Sequence, residues 1–284
     1  MRTTADPIAG SGNRTQSVPA VEKVFAILEV LARSQAGLTL RELAHECNVP
    51  KSTVHCIVIT LERCGYLHRN QRTSRYLFGR KLFSLANQTL GGLELKEQVE
   101  PEMRALARYT RLSVHLGINE FDEAVIVSKI SFPHHGKSVG SWIGKRMELH
   151  CTALGKALIS SWSEADLARL ARERTLSRHN DNTIFSLKRL QQELSNVRSL
   201  GYAVDDEEDV LGCRCVGAPV HDRDGNVVAA LSVSGDTCDI TAENVRAIAE
   251  KVRETSRVLS RSIASSSEVD SLRGTAEPPL SLLH

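Results

Sequence analysis

The sequence of 284 residues has few aromatic side chains, 4% of the total, and no long uninterrupted apolar segment. A helix that crosses a membrane needs about 20 predominantly apolar residues, so a membrane-spanning protein is excluded. The first 18 residues are polar and lack the apolar stretch of a secretory signal peptide. The seven cysteines follow no regular framework. Without an export signal, we expect reduced thiols and a cytoplasmic protein.

Motifs of nucleotide-binding enzymes and of covalent catalysis are also missing. There is no Gly-rich phosphate loop and no local pairing of a nucleophile with a base. His134-His135, His150-Cys151 and the pair Cys213 and Cys215 contain metal-ligating side chains, but none has the spaced ligand pairs of a structural zinc site. We therefore expect no metal, no cofactor and no enzyme. One alternative stays open, an enzyme in which Cys215 is the nucleophile and the fold supplies a base.

The charge is unevenly distributed along the chain, although the net charge is only +2. Residues 1–80 contain 11 Lys and Arg residues against 6 Asp and Glu residues, a net of +5, and the remainder has a net of −3. A basic segment joined to a mildly acidic one indicates a polyanion-binding module attached to a second domain. A solvated basic surface is the simpler alternative.

Hydrophobic periodicity predicts three helices in the basic segment. Apolar residues recur at helical spacing over residues 20–33, a capping-box sequence at Thr39 begins a second helix that ends near Cys47, and a third follows over residues 50–64. The short turn between the last two gives helix-turn-helix proportions. In such a motif the start of the second helix meets DNA. The candidate contacts on it are Lys51, Ser52, Thr53 and His55.

Two short strands, near residues 65–69 and 75–78, follow the third helix around a polar turn. Arg69, Arg72 and Arg75 lie on this predicted hairpin, as expected for a wing that lies along the DNA backbone. Residues 18–80 are therefore predicted to form a winged helix-turn-helix domain. The alternative is a helical scaffold for a protein interface.

The rest of the chain predicts an α+β domain over residues 95–263. A linker helix over residues 81–94, interrupted at Gly91-Gly92, is followed by a second helix over residues 95–110 and then by a hairpin of residues 112–118 and 124–130. Helices over 150–161, 163–172 and 186–200 come next, then strands near 202–205, 215–221 and 227–235, and a final helix over 242–262. The acidic run of residues 205–209 is typical of a solvated loop. The tails, residues 1–17 and 264–284, are expected to be disordered.

Several blocks, in order, resemble one known family. They are Val21-Glu22-Lys23-Val24-Phe25-Ala26-Ile27-Leu28, Lys51-Ser52-Thr53-Val54-His55, Gly65-Tyr66-Leu67, Tyr76-Leu77-Phe78-Gly79, Leu149-His150-Cys151-Thr152-Ala153-Leu154-Gly155-Lys156-Ala157, Gly201-Tyr202-Ala203-Val204-Asp205-Asp206-Glu207-Glu208 and Gly212-Cys213-Arg214-Cys215-Val216. Together they are similar to the IclR-type transcriptional regulators. The resemblance implies a winged helix-turn-helix joined by a linker helix to a GAF-like effector-binding domain.

The resemblance also implies a ligand cavity. Carried over by motif, its lining comprises the backbone amides of Ala153 and Leu154 and the side chains of Asp205, Cys215, Ser232 and Ser234. The expected ligand is a small carboxylate or aromatic acid that modulates operator binding. The expected assembly is a homodimer or a dimer of dimers, and repression is favoured over activation. An architectural DNA-binding protein without a ligand is a further alternative, which the long, well-patterned second domain argues against.

Two positions depart from the family pattern. Cys56 stands where the family usually has an arginine, and a thiol cannot offer a guanidinium to phosphate or guanine. The block that usually reads Pro-Leu-His is here Glu148-Leu149-His150.

Overall fold

The computed structural model describes residues 18–34, 36–82, 85, 92–132 and 140–264, and for 92–98 the backbone alone. The chain forms two compact units that divide between Thr89 and Leu90. The predicted tails lie outside the described residues, except for Ala264. So do Gly91 and His134-His135. Of the predicted linker helix, residues 81, 82 and 85 are helical, but its last three residues, 92–94, already belong to the next helix, which runs over Gly92–Thr110.

The first unit is a winged helix. Its elements are α1 (Pro19–Ala32), β1 (Leu38–Thr39), α2 (Leu40–Glu46), α3 (Lys51–Arg63), β2 (Leu67–Arg69) and β3 (Arg75–Phe78). The strands form an antiparallel sheet in the order β1-β3-β2. The core is made by Ile27 and Leu31 of α1, Leu43 of α2, and Val54 and Val58 of α3, all buried. The three predicted helices and the wing hairpin are confirmed to within two residues.

Two local interactions define the start of α2. Thr39 caps the helix by accepting from the Glu42 amide at 3.3 Å, while the Glu42 carboxylate accepts from the Thr39 amide at 2.7 Å. This is the predicted capping box. Gly37, just before β1, has φ +72°, and a Cβ there would lie 2.5 Å from the Tyr76 carbonyl oxygen. Only glycine fits this position.

The second unit is built on a six-stranded antiparallel sheet in the order β6-β5-β4-β9-β8-β7. Its elements are α4 (Gly92–Thr110), β4 (Ser113–Glu120), β5 (Glu123–Ile130), β6 (Arg146–Met147), α5 (Ala153–Leu158), α6 (Glu164–Glu173), α7 (Leu187–Leu200), β7 (Ala203–Asp206), β8 (Cys213–His221), β9 (Val227–Asp236) and α8 (Val245–Ala264). The predicted α+β architecture is confirmed.

The sheet is covered on both faces. Residues of α4 and α8, such as Met103 and Leu259, pack with Leu116 and Val233 on one face. Residues of α5, α6 and α7 pack with Ile126 and neighbouring side chains on the other. Since successive side chains of a strand alternate between faces, Ser232, next to Val233, lies on the α5 side.

Three predictions for the second unit need correction. The helix predicted over 150–161 is only α5, because Thr152 caps it by accepting from the Gly155 amide at 3.0 Å. The strand predicted from Cys215 begins at Cys213. The acidic run is not a uniformly solvated loop, because the Asp205 and Glu208 side chains are buried.

Candidate functional site

The predicted DNA-contacting face of α3 is accessible. Lys51, Ser52 and His55 are exposed, and Thr53 is half-buried. Val54 points into the core, so these residues lie on the opposite side of the helix. Cys56 is exposed beside them, at the position where the family usually has arginine. The helix start therefore presents an ammonium, two hydroxyls, an imidazole and a thiol on its outer side.

The wing is a short hairpin with a structured turn. Asn70 Oδ1 accepts from the amides of Arg72 and Thr73 at 3.0 and 3.2 Å, and Ser74 has φ +55°. Arg72 is exposed at the tip. The Arg69 guanidinium donates to Ser74 Oγ at 3.1 Å and lies 5.9 Å from the Tyr76 ring centre.

Arg75 has a different environment from the other two wing arginines. Its Nη1 donates to the Gly37 carbonyl at 2.6 Å, and both Nη atoms donate to the Glu42 carboxylate at 3.1 Å. These bonds join β3 to the capping box of α2. A structural role thus accompanies the DNA contact predicted for this residue.

All six residues carried over for effector binding line one cavity of about 40 Å³ in the second unit. The complete lining is His115, Ile126, Ser141, Lys145, Met147, Thr152, Ala153, Leu154, Asp205, Asp209, Val210, Cys213, Cys215, Ser232 and Ser234. The cavity brings together residues separated by more than one hundred positions in the chain.

Strand register explains how the polar lining residues meet. Ser232 pairs directly with His115 of β4, and Ser234 pairs with Cys215 of β8. Cys215 in turn pairs with Asp205 of β7. Side chains at directly paired positions point to the same face of a sheet. Two adjacent rows of polar groups therefore face α5.

Small residues let the start of α5 approach the sheet. A Cβ on Gly217 of β8 would lie 2.6 Å from the Ala153 carbonyl oxygen, and one on Gly117 of β4 would lie 2.5 Å from Leu154 Cδ2. Since neither glycine has a side chain, the start of α5 can lie directly against the two strands at these positions. The backbone of Ala153 and Leu154 is thereby held at the cavity wall.

Lys145 makes one part of the cavity lining cationic, and Lys129 lies near the lining residue His115. Burial, with Lys129 and Lys145 nearby, lowers the pKa of His115 to about 3, so its imidazole is neutral at physiological pH. His115 Nε2 lies 2.9 Å from Ser141 Oγ. Lys129 Nζ donates to the Ser141 carbonyl at 2.6 Å, and Lys145 Nζ to the Gly140 carbonyl at 2.9 Å. Anionic ligand groups are favoured beside these ammonium groups.

Acids and thiols form another part of the lining. Burial raises the pKa of Asp205 to about 7, although the Glu208 amide donates to its Oδ1 at 2.8 Å. The Sγ atoms of Cys213 and Cys215 are 3.7 Å apart. This contact, together with burial, raises the pKa of Cys215. A protonated thiol is a poor nucleophile, which counts against the enzymatic alternative.

A buried ion cluster holds the far side of α5. Lys156, with 0% of its side chain exposed, lies 2.5 Å from Glu208 Oε1 and 3.1 Å from Glu193 Oε1, and donates to the Val204 carbonyl at 2.5 Å. Glu208 and Glu193 raise the pKa of Lys156 against the effect of burial. The cluster connects α5 to the loop after β7, which contributes Asp209 to the cavity.

Sequence reasoning missed several lining residues, including His115, Ser141, Lys145 and Asp209. His115 had one usable signal, since it is a single polar residue in an otherwise apolar stretch of strand. Asp209 belongs to the acidic run of residues 205–209, for which the sequence predicted a solvated loop. Ser141 and Lys145 lie outside the helices and strands, in the segment just before β6, so periodicity carried no information on them.

Two overlapping groups of side chains have donor atoms close enough together to hold a metal ion. They are Glu148, His150 and Cys151, and Cys151, His179 and Asp209. In each group the donor atoms lie within 4.8 Å of one another.

Comparison with known proteins gives two family matches. Residues 20–71 match the IclR helix-turn-helix domain, and residues 87–261 match the C-terminal domain of the bacterial transcriptional regulator IclR. The HTH-type transcriptional regulator KdgR of Dickeya chrysanthemi is 34% identical over 243 residues, covering 85% of this chain and 79% of that protein. The HTH-type transcriptional repressor AllR of Escherichia coli is 26% identical over 259 residues, covering 91% and 93%.

Solved structures agree with the fold. The Thermotoga maritima IclR structure matches with a TM-score of 0.70 and 27% identity, covering 86% of this chain and 98% of that one. An IclR homologue from Microbacterium hydrocarbonoxydans, complexed with 4-hydroxybenzoate, has a TM-score of 0.76 at 20% identity, covering 87% and 100%.

The winged helix, the second domain with its cavity and these matches define a DNA-binding transcriptional regulator with a C-terminal effector-binding domain. The chain belongs to the IclR family of bacterial regulators. In the described part of the chain, no helix has the length and apolar character needed to span a membrane.

Proposed function

We propose that this protein represses transcription by binding operator DNA through its winged helix, and that a small organic acid in the cavity of the second unit modulates this binding. The observation that carries the proposal is the convergence of Ala153, Leu154, Asp205, Cys215, Ser232 and Ser234 on one cavity. Repression is taken from the resemblance and from the relative that is named a repressor.

The DNA contacts divide into two groups by position. Lys51, Ser52, Thr53 and His55 lie at the start of α3, which supports a role in reading base edges. Arg69, Arg72 and Arg75 lie on the wing, which supports phosphate contacts that fix position without reading sequence. One recognition helix covers few base pairs, so we infer a homodimer or a dimer of dimers on paired half-sites.

The chemistry of the cavity supports a carboxylate as the effector. Lys145 and the amides of Ala153 and Leu154 offer a cation and hydrogen-bond donors to an anion. Ser232 and Ser234 add hydroxyls on the same face, and Asp205 can bond to a hydroxyl of the ligand. The same fold has been solved with 4-hydroxybenzoate in the Microbacterium protein, an acid with a carboxylate at one end and a hydroxyl at the other.

The volume of the cavity sets a further condition. Pockets for drug-sized ligands measure about 300–1,000 Å³, whereas this cavity measures about 40 Å³. A carboxylate of even a few carbon atoms therefore requires the walls to move apart. We propose that this movement is the conformational difference through which the effector changes operator affinity, because a ligand shifts only an equilibrium between states that it binds unequally.

The experiment is a thermal-shift screen of small aliphatic and aromatic carboxylates, followed by operator titration with each acid that raises the melting temperature. Ser234→Ala removes one cavity hydroxyl. A hydrogen bond to a charged group contributes about 1.5–3 kcal/mol, so we expect acid affinity to fall roughly 10- to 150-fold. Operator binding without the acid is expected to survive.

The matched control is Ser128→Ala, which removes a buried hydroxyl on β5 that is not part of the cavity lining. It is expected to leave the acid response unchanged. An unaltered response of Ser234→Ala would exclude Ser234 from the site. If no carboxylate shifts either melting or operator affinity, the effector class itself is wrong.

A further inference from the structure

The outer face of α3 has an apolar centre between polar ends. An α-helix turns by about 100° per residue, so the residues opposite its buried side can be identified from their positions. Within about 50° of that direction lie four exposed residues, Ser52, Cys56, Ile59 and Arg63. Ile59 is the large apolar member of this set, and 45% of its surface is exposed. Cys56 and Ile59 are here called the central strip.

The central strip is poorly equipped for hydrogen bonding to bases. Ile59 has no polar side-chain atom, and the Cys56 thiol is only a weak donor and acceptor. The neighbouring Thr60 Oγ1 donates to the Cys56 carbonyl at 2.8 Å, so its hydroxyl proton is used within the helix. These three side chains therefore lack the paired donors and acceptors that recognise guanine or adenine through two hydrogen bonds.

The ends of the same helix carry positive charge. Lys51 is its first residue and Arg63 its last, about 18 Å apart along the axis, and both are exposed. The major groove of B-DNA is about 12 Å wide, so cations with this separation can reach phosphates while the central strip lies over base pairs. A protein partner that covered the strip with apolar side chains would leave both cations without a counterion. The charge distribution therefore favours duplex DNA as the occupant.

The central strip matches one chemical group in the major groove. Of the four bases, thymine presents an apolar group there, its 5-methyl. Cys56 and Ile59 are three positions apart, about 4.5 Å along the helix axis, and successive base pairs are about 3.4 Å apart. The two side chains therefore cover one base pair or two neighbouring ones.

We propose that Cys56 and Ile59 recognise thymine by contact with its 5-methyl group, at one position or two neighbouring positions of each operator half-site. The inference rests on the proposed binding of operator DNA through α3. Burial of one methyl group strengthens binding about fourfold. At Cys56, where the family usually has arginine, two-bond recognition of guanine is replaced by contact with a thymine methyl.

The test uses the full-length protein without an effector. Selection from a pool of random duplexes first gives the sequence that the protein binds. Affinity is then measured for duplexes of this sequence in which single thymines are replaced by deoxyuridine, which lacks only the 5-methyl. We expect binding to weaken about fourfold at one position or two neighbouring positions of each half-site.

Two variants assign the methyl contact to the strip. Ile59→Ala shortens an exposed side chain, so the core of the winged helix is preserved, and at one or more of these positions it is expected to bind thymine and deoxyuridine duplexes equally. Cys56→Arg is expected to change the selected base at its position from thymine to guanine. The matched control is Leu200→Ala, which shortens an exposed apolar side chain at the end of α7 in the second unit and is expected to discriminate like the wild type.

The inference is overturned if deoxyuridine weakens binding at no position of the selected sequence, or if Ile59→Ala keeps the full discrimination at every position. An unchanged selected base in Cys56→Arg would remove Cys56 from the contact. If Ile59→Ala changes the oligomeric state in light scattering and keeps the discrimination, the strip is a protein interface instead. A pool without an enriched sequence would overturn operator binding itself and this inference with it, whereas an enriched sequence that is insensitive to deoxyuridine overturns the inference alone.

Discussion

Arg75 of the wing and Glu42 of α2 form a two-bond ion pair, with each Nη atom 3.1 Å from a different carboxylate oxygen. Glu42 also completes the capping box with Thr39, and nearby groups, the Thr39 hydrogen bonds above all, lower its pKa. The pair is about one-third exposed, so its contribution to stability is modest. It nevertheless makes the wing continuous with the helix-turn-helix.

The ion pair gives Arg75 a structural role that Arg72 lacks, although the sequence predicted the same DNA contact for both. We expect Arg75→Ala to lower stability by about 1 kcal/mol, from the lost bidentate pair and the bond to the Gly37 carbonyl, in addition to weakening DNA binding. Arg72→Ala is expected to keep the wild-type melting temperature, weaken binding to all sequences and reduce the salt slope by about 1. Thermal melting and salt-dependent DNA titration distinguish the two. Equal melting temperatures for both variants would contradict the assignment.

The start of α3 is expected to carry sequence discrimination. Ser52 is exposed on the outer side of the helix, so Ser52→Ala removes a hydroxyl without disturbing the core. The expected result is weaker binding to operator DNA and unchanged binding to random DNA, with the loss near 1–3 kcal/mol for one base contact. Competition of labelled operator with random duplex measures the ratio. A matching loss on both DNAs would indicate a phosphate contact.

The raised pKa of Asp205 predicts that the affinity for an acid effector depends on pH. With its pKa raised to about 7 by burial, the side chain is protonated in mild acid and ionised in mild base, where it repels a carboxylate. We expect acid affinity to fall as the pH rises from about 6 to 8, by up to tenfold per pH unit, the limit for one coupled proton. His115, with a pKa of about 3, contributes no change in this range.

Asp205→Asn supplies the comparison for this prediction. Its acid affinity is expected to be flat between these pH values. The raised pKa also means that the folded protein keeps a proton that the unfolded chain has released, so Asp205 makes the wild type less stable as the pH rises from about 4 to 7. The variant is expected to lose that part of the slope. Parallel profiles for the two proteins would show that another group titrates.

The buried ion pairs of Lys156 predict that replacing this residue strongly lowers the stability of the protein. Replacing it with Met leaves Glu208 buried opposite an apolar side chain, and breaking a buried pair by removing one partner costs about 3–5 kcal/mol. The exposed Lys188 of α7 is the matched control, since Lys188→Met is expected to change stability by no more than about 0.5 kcal/mol. Denaturant unfolding measures both. The double variant Lys156→Met, Glu208→Gln is expected to recover part of the lost stability, because it also removes the buried unpaired carboxylate. If it recovers none, the loss of stability does not come from Glu208.

The sequence predicted the long elements well because their signals are local. Apolar residues at helical spacing marked α1, α3 and α8, and Thr39 with Glu42 marked the start of α2. The two-residue strands β1 and β6 were missed, since two residues cannot display an alternation. The length of α5 was overestimated because the Thr152 cap was not recognised. The extent of the two domains and the roles of the site residues remain predictions.

The sequence predicted much of the cavity lining but not the side chains that meet beside it. The six cavity residues came from the family resemblance, and strand register explains why they meet. His115 was missed because a polar residue in an apolar strand is more often a satisfied core residue. The group formed by Cys151, His179 and Asp209 is different, because its members are 28 and 30 positions apart in the chain. No spacing rule covers such separations, because only the packing of the loops against α5 brings these residues together.

The small volume of the cavity also affects the rate at which the acid binds. If only the widened form admits the acid, the rate of capture is set by how often the walls open. The observed rate is then expected to level off at high acid concentration instead of rising in proportion. The measured affinity is reduced by the fraction of molecules that are open. A substitution that loosens the wall, such as Val210→Ala on the half-exposed loop, would let the regulator respond sooner and to less acid.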